Sequence, residues 1–136
     1  MSALFEEVTR ILAEERLEFA SRRVGNIEAL NLGRMSEETP YGLILYVRAD
    51  VETVNVVAAA ECVVPDNKLS KALVVLNQYN YKRIHKAFID PECGRLMAQK
   101  SLDVYDGTLN KRVLLAALAS VHHAIASNYE VLLRLR

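Results

Sequence analysis

Three histidines and two cysteines are the residues of this 136-residue chain best suited to metal or nucleophilic chemistry. They are His85, His122, His123, Cys62 and Cys93. A zinc site needs ligand spacings such as C-x-x-C or H-E-x-x-H, and the chain has neither. His122 and His123 are adjacent in a predicted helix, so their side chains point about 100° apart. We therefore expect no metal site and no cofactor, and interpret the histidines as solvated or hydrogen-bonded residues beside the core.

A catalytic Cys/His pair would require Cys93 to lie close to a histidine. Cys93 falls in a predicted turn, and His85 lies down the preceding strand, roughly 20 Å away at about 3.3 Å per residue. Neighbouring glutamates such as Glu14 and Glu15 diverge on a helix and form no acid/base dyad. The five glycines match no phosphate-binding loop. We predict that the protein is not an enzyme, that Cys93 is exposed and that Cys62 is a core residue.

Basic and aromatic side chains are concentrated between residues 79 and 86, namely Tyr79, Tyr81, Lys82, Arg83, His85 and Lys86. Tyrosine rings beside lysine and arginine can stack single-stranded bases, which leaves nucleic-acid binding open as an alternative. No RNA-binding motif accompanies them. In a strand from residue 81 to 89 both faces would be mixed, which favours a sheet edge or dimer rim, where lysine blocks aggregation.

Composition indicates a single globular domain spanning residues 1–136, with 51% hydrophobic and 25% charged residues. No apolar run approaches the roughly 20 residues of a membrane span. Glu6 and Glu7 stand where a signal peptide needs positive charge, so we expect a cytoplasmic location. The net charge is zero, but residues 1–66 carry −6 and residues 67–136 carry +6. This asymmetry could orient a partner, although folding would more simply mix the two halves.

Hydrophobic periodicity predicts one helix and three strands in the first half of the chain. Apolar residues recur at helical spacing over residues 3–19, with Ser2 as the N-cap. Residues 26–32 alternate weakly and are interpreted as a strand. Residues 43–49 and 53–64 are rich in β-branched and aromatic residues and form the next two strands.

The second half is predicted as helix, hairpin and helix. Leu69, Ala72, Leu73 and Leu76 indicate a helix over residues 69–80, capped by Asp66 or Asn67. Strands follow at 81–89 and 95–104, joined by a turn at 90–94, and a turn at 106–108 leads into a helix at 109–133 capped by Thr108. The predicted fold class is α+β, with the order α-β-β-β-α-β-β-α and a mainly antiparallel sheet flanked by helices.

Three segments carry a family resemblance: Leu-Asn-Gln-Tyr-Asn at 76–80, Phe-Ile-Asp-Pro-Glu-Cys-Gly-Arg at 88–95, and Gly-Thr-Leu at 107–109 before a long helix. With the predicted element order, they resemble the YbjN family of bacterial proteins, which shares the fold of type III secretion chaperones. The resemblance implies a regulatory or sensory factor without catalysis. The chaperones of similar fold are cytoplasmic homodimers that bind an extended partner segment. They are commonly acidic and this chain is neutral, which favours the broader class of dimeric partner-binding module.

The resemblance places a dimer or partner surface on the helix at 69–80 and the strand that follows it. The side chains expected there are Leu73, Leu76, Tyr79, Tyr81, Lys82 and Arg83. The leading hypothesis is a homodimer that captures a segment of an unknown protein partner by strand addition or pocket filling. The alternative is a nucleic-acid-binding regulator that uses the basic and aromatic side chains around Tyr79 to Lys86.

Overall fold

A computed structural model describes residues 2–104 and 109–135 and confirms the α+β fold class. Its six-stranded sheet is antiparallel throughout, in the order β1-β2-β3-β4-β6-β5. In chain order the elements are α1 (Ala3–Glu14), β1 (Ala20–Val24), β2 (Ile27–Met35), β3 (Tyr41–Arg48), β4 (Thr53–Val63), α2 (Leu69–Asn80), β5 (Lys86–Ile89), β6 (Arg95–Asp103) and α3 (Lys111–Leu133).

Helix α1 begins as predicted but ends five residues early. The Phe5 amide donates to Ser2 Oγ at 3.0 Å, which confirms the N-cap. Arg16 adopts a φ of +57°, and its amide donates to Ala13 O while Leu17 N donates to Leu12 O. This is the Schellman pattern that closes a helix, usually built on glycine. Because the chain has arginine and not glycine in that position, the sequence carries no signal for the helix end, and the predicted helix extended to residue 19.

Strand β1 is the element that the sequence prediction missed. It joins β2 through the two-residue turn Gly25-Asn26, in which Gly25 has a φ of +60°. Glycine with positive φ at the first central position is typical of a type II′ hairpin. All five β1 residues are exposed, so no apolar alternation marks the strand. The weak strand predicted at 26–32 is the start of β2, and β1 adds one strand at the edge of the sheet.

The alternation in β3 and β4 sorts the sheet into a covered and an uncovered face. Leu43, Leu45 and Val47 are buried, whereas Ile44 and Tyr46 between them are half-buried. Helix α3 packs against β4 and β6, and α2 packs against β5. Since buried residues face the helices, all helical packing falls on one side of the sheet within the described ranges.

Helix caps differ from the predictions at α2 and α3. A 3-10 turn at Asp66–Lys68 precedes α2, and neither Asp66 nor Asn67 caps the helix, because Lys68 occupies the N-cap position without a side-chain bond. Asn110 caps α3, its Oδ1 accepting from Arg112 N at 2.8 Å. The predicted turn at 106–108 and the Thr108 cap lie outside the described residues. Over the described residues, no helix combines the length and apolarity needed to cross a membrane.

Strand β5 is shorter than the predicted strand at 81–89 because residues 81–85 form a turn. Lys82 has a φ of +63°, a conformation that interrupts an extended strand. The side chain of Asn80, at the end of α2, then bonds to the outer edge of β5. Its Nδ2 donates to Ala87 O and its Oδ1 accepts from Ala87 N, both at 2.9 Å.

Candidate functional site

The uncovered face of the sheet presents ordered rows of side chains, each of which crosses five strands. One row consists of Arg34, Gly42, Ala59, Met97 and Phe88, and the next of Asn31, Ile44, Val57, Gln99 and Lys86. A third row consists of Arg22, Ala29, Tyr46, Asn55 and Ser101. The middle of each of the first two rows is apolar or lacks a side chain, while a basic residue stands at one end.

A groove of about 500 Å³ opens on this uncovered face. A bulge in β2 leaves Leu32 out of register, and Gly33 beyond it has a φ of +77°. Gly42 on β3 pairs with Arg34 and contributes no side chain to fill the space, while Ile44 and Val57 add apolar surface. A bulge bends its strand away from a neighbour, so the groove follows from the backbone of β2 as much as from its side chains.

Basic residues outnumber acidic ones around the groove. Arg34 and Arg95 line it, against the single carboxylate of Glu61. Arg95 Nε donates to Ala60 O at 3.2 Å. Among the described residues, no carboxylate lies within 4 Å of the Arg34 or Arg95 guanidinium group. Both arginines therefore retain the capacity to pair with an added anion.

The surface predicted from sequence, on α2 and the turn after it, is only partly available. Leu73 is 50% and Tyr81 71% exposed, but Leu76 is 3% exposed and belongs to the core. Leu76 was therefore wrongly assigned to a contact surface. Val74 and Ile84, which are 58% and 81% exposed, belong to this surface although they were not predicted from sequence. Exposed large apolar residues are thus concentrated along α2 and its turn.

Tyr79 stands at the centre of a hydrogen-bonded cluster that joins α2, the turn and α3. Its Oη lies 2.9 Å from His85 Nε2 and 2.8 Å from His123 Nδ1. The Arg83 guanidinium lies over the Tyr79 ring at 4.2 Å, and Lys82 Nζ lies 5.3 Å from the Tyr81 ring centre. The expected alternation of these side chains on a strand is wrong, because the chain turns here. Their rings and cations instead contact one another.

The electrostatic surroundings of this cluster disfavour a positive charge on His85. Burial lowers the pKa of His85, and the nearby positive charges of Lys100, Arg83, His123 and Lys86 lower it further. These groups come from β6, the turn, α3 and β5. Within the described ranges, no three His, Cys, Asp or Glu side chains are grouped closely enough to hold a metal ion.

Replacing Lys100 by Met should raise the pKa of His85, because it removes one of the positive charges beside it. In the wild type, the pKa of His85 is higher in the unfolded chain than in the folded chain. Lys100→Met makes this difference in pKa smaller. The stability that neutral His85 contributes is complete above about pH 6.5 and is lost as the pH falls towards the lowered folded pKa. An NMR titration of the His85 ring measures the change. Exposed Lys71→Met is the control, and an unchanged His85 titration in Lys100→Met would contradict this account.

The remaining predicted chemical residues are separated in the structure. His122 Nδ1 lies 3.0 Å from Tyr41 Oη, apart from the hydrogen-bonded cluster of His123. Cys62 is buried and Cys93 is exposed, as predicted. Cys93 follows β5 in the turn before β6, while His85 precedes β5, so the strand separates them.

The antiparallel sheet with helices on one face defines an α+β domain with the fold of type III secretion chaperones. The chain belongs to the YbjN family, described as "Putative bacterial sensory transduction regulator", whose model matches residues 6–134. This confirms the resemblance inferred from sequence. None of the curated protein sequences matches the chain.

Solved structures show the same fold at low sequence identity. YbjN from E. coli, described as "a putative transcription regulator", has a TM-score of 0.61 and 17% identity, over 95% of this chain and 88% of that one. The ExsC–ExsE complex gives 0.59 and 21%, over 96% and 93%. The HopA1–SchA chaperone–effector complex gives 0.66 and 13%, over 94% of both chains.

Proposed function

We propose that this protein is a non-catalytic binding module that holds a segment of a protein partner on the uncovered face of its sheet. The observation that carries this proposal is the groove bounded by the β2 bulge and Gly42, whose apolar lining includes Ile44 and Val57. Apolar surface of this kind, with polar groups beside it, is typical of protein-binding sites. Two proteins of the same fold were solved as complexes, ExsC with ExsE and SchA with HopA1.

The nucleic-acid alternative receives less support from the contacts of the basic and aromatic side chains. A stacking platform needs open tyrosine faces and unengaged cations. The Tyr79 ring already contacts Arg83, His85 and His123, and Lys86 Nζ donates to Arg83 O at 3.0 Å. A base would have to displace these contacts before it could stack. Protein binding is therefore the function that the geometry favours.

Site-specific photo-crosslinking tests where the partner binds. A photoreactive amino acid replaces Ile44 on the uncovered face or, as a control, exposed Glu130 on α3. In the native cells we expect protein adducts from position 44 and few from position 130. Equal adducts from both positions, or none from position 44 with a well-folded variant, would refute the uncovered face as the binding site. Adducts to nucleic acid instead would favour the alternative function.

The proposal includes a homodimer formed through α2 and the following turn. Leu73, Val74, Tyr81 and Ile84 expose apolar area there that a second copy would bury. Tyr79, Lys82 and Arg83 lie beside this area and would form its polar rim. We place the module in the bacterial cytoplasm, where the exposed thiol of Cys93 stays reduced.

Replacing Leu73 by Asp should convert the dimer to monomer, because it puts a charge at the centre of the apolar contact. The loss of affinity expected for a charge buried in an interface is about tenfold to a thousandfold. Sedimentation velocity at tens of micromolar measures it. The matched control is Val51→Asp, since Val51 is 54% exposed in the turn between β3 and β4. A wild-type chain that sediments as a monomer would remove the dimer from the proposal.

A further inference from the structure

We infer that the segment held on the uncovered face is anionic, with carboxylate side chains flanking a short apolar stretch. This inference rests on the proposed function and specifies the partner's chemistry. Two features of the face carry it: the unpaired basic groups on opposite sides of the groove, and the apolar strip between them.

The basic groups stand on different strands and are not neutralised from within the face. Arg34 lies on β2 and Arg95 on β6, and both line the groove. Arg22 and Lys86 extend the positive charge towards the two edges of the sheet. Within the described residues, no ion pair involves any of these four side chains. Lys86 Nζ and Arg95 Nε donate to the backbone oxygens of Arg83 and Ala60, so a bound carboxylate would gain partners at these groups without breaking an ion pair.

Strand spacing sets the spacing of the carboxylates. Two strands, β3 and β4, separate β2 from β6 in the sheet, so these two strands are about 14 Å apart. Arg95 lies two residues along β6 from Met97, which shares a row with Arg34, so the arginine backbones are about 16 Å apart and their long side chains shorten the span. An extended segment advances about 3.4 Å per residue, so acidic residues four positions apart would reach both arginines. The residues between them would lie over Ile44, Val57 and Ala59, which line the groove. The expected partner thus combines acids at i and i+4 with small or aliphatic residues between them.

A second copy of this chain is a poor occupant of the same face. A two-fold contact would bring the face against itself and place arginines opposite arginines. Such like-charge contacts oppose association. Charge complementarity therefore favours a different, acidic chain.

Binding of the full-length protein to a synthetic peptide array tests the inference. The array carries twelve-residue peptides with apolar residues between acids at i and i+4, and twins in which lysine replaces every acid. We expect at least a tenfold preference for the acidic peptides, weakening as salt screens the charges. Arg34→Glu should reduce or reverse this preference, whereas exposed Arg112→Glu on α3 should leave it unchanged.

A groove-filling variant separates the partner's charge from the existence of the site. A Cβ at Gly42 meets nothing within 4 Å, and the φ of Gly42 lies outside the left-handed region, so Gly42→Val should fold and occupy the groove. Its control is Ser101→Val, on the same face but outside the groove. We expect Gly42→Val to weaken acidic-peptide binding at least tenfold and Ser101→Val to leave it intact.

The possible outcomes distinguish the two proposals. In one outcome, the lysine peptides bind as well as or better than the acidic peptides, and Gly42→Val abolishes that binding. This result would refute the inference that the partner is anionic but would support the groove as the binding site. Binding of acidic peptides that Gly42→Val does not affect would overturn both, as would no binding of either peptide class by a folded wild-type chain.

Discussion

Replacing Leu45 by Ala is expected to lower the free energy of unfolding by about 2–5 kcal/mol. Leu45 lies at 0% exposure on the covered face of β3, so its loss leaves a cavity beneath the helices. The adjacent Ile44→Ala should cost only about 1 kcal/mol, because Ile44 is half-buried on the uncovered face and water replaces the lost atoms. Urea unfolding followed by circular dichroism measures both variants.

This pair of neighbouring residues tests the assignment of the two faces. Both side chains are aliphatic and of equal size, and they differ mainly in the side of the sheet on which they lie. Ile44→Ala should instead weaken partner binding, since Ile44 lines the groove. Equal destabilisation by the two substitutions would mean that both faces are covered in solution, contrary to the structure described above.

Replacing Asn80 by Ala is expected to cost about 1–3 kcal/mol of stability. The amide group of Asn80 satisfies both the N–H and the C=O of Ala87, a residue that is 1% exposed. Alanine would leave this donor and acceptor without partners beside the end of α2. Thermal or urea unfolding gives the change in stability, and hydrogen exchange at the Ala87 amide should accelerate.

Asn77 provides the matched control for this variant. It lies on the same helix one turn earlier and is exposed, so Asn77→Ala should change stability by no more than about 0.5 kcal/mol. If both substitutions have the same effect, the contribution of Asn80 reflects helix propensity and not its bonds to Ala87.

The strands with strong alternation were predictable from sequence because one physical pattern determined them. Burial on one face of β3 and β4 requires apolar residues at every second position, and the chain supplies them at Leu43, Leu45, Val54 and Val56. The helix stripe of α3 follows from the same requirement at helical spacing, as Val121 and its neighbours show. These elements bury so much apolar surface that the requirements of the core determine the spacing of their apolar residues.

Elements that do not contribute to the core were not predictable in this way. Strand β1 contributes only exposed residues, so Arg22 and Arg23 carried no periodic signal. The turn at 81–85 resembles a strand in composition, but Lys82 takes a positive φ that sequence does not reveal for lysine. The predicted N-cap of α2 was wrong for a related reason. Asp66 and Asn67, which were expected to cap the helix, lie in a 3-10 turn.

The candidate site was the least predictable part because its residues are distant in sequence. Arg34, Gly42, Val57 and Arg95 meet only through strand order and register. The order places β6 between β4 and β5, and this long-range pairing has no local signature. The surface around Tyr79 was recognised from composition, but its hydrogen bonds to His85 and His123 depend on the fold.

The bonds between Asn80 and Ala87 also limit how copies of this protein can aggregate. Growth of a fibril by strand pairing needs monomers with two reactive ends, one for each neighbour. Here the Asn80 amide caps one end, at β5, while the outer side of β1 remains exposed at the other. A side chain at a helix terminus thus occupies hydrogen-bonding groups of one edge strand, which leaves the β1 edge as the more open of the two edges for strand addition.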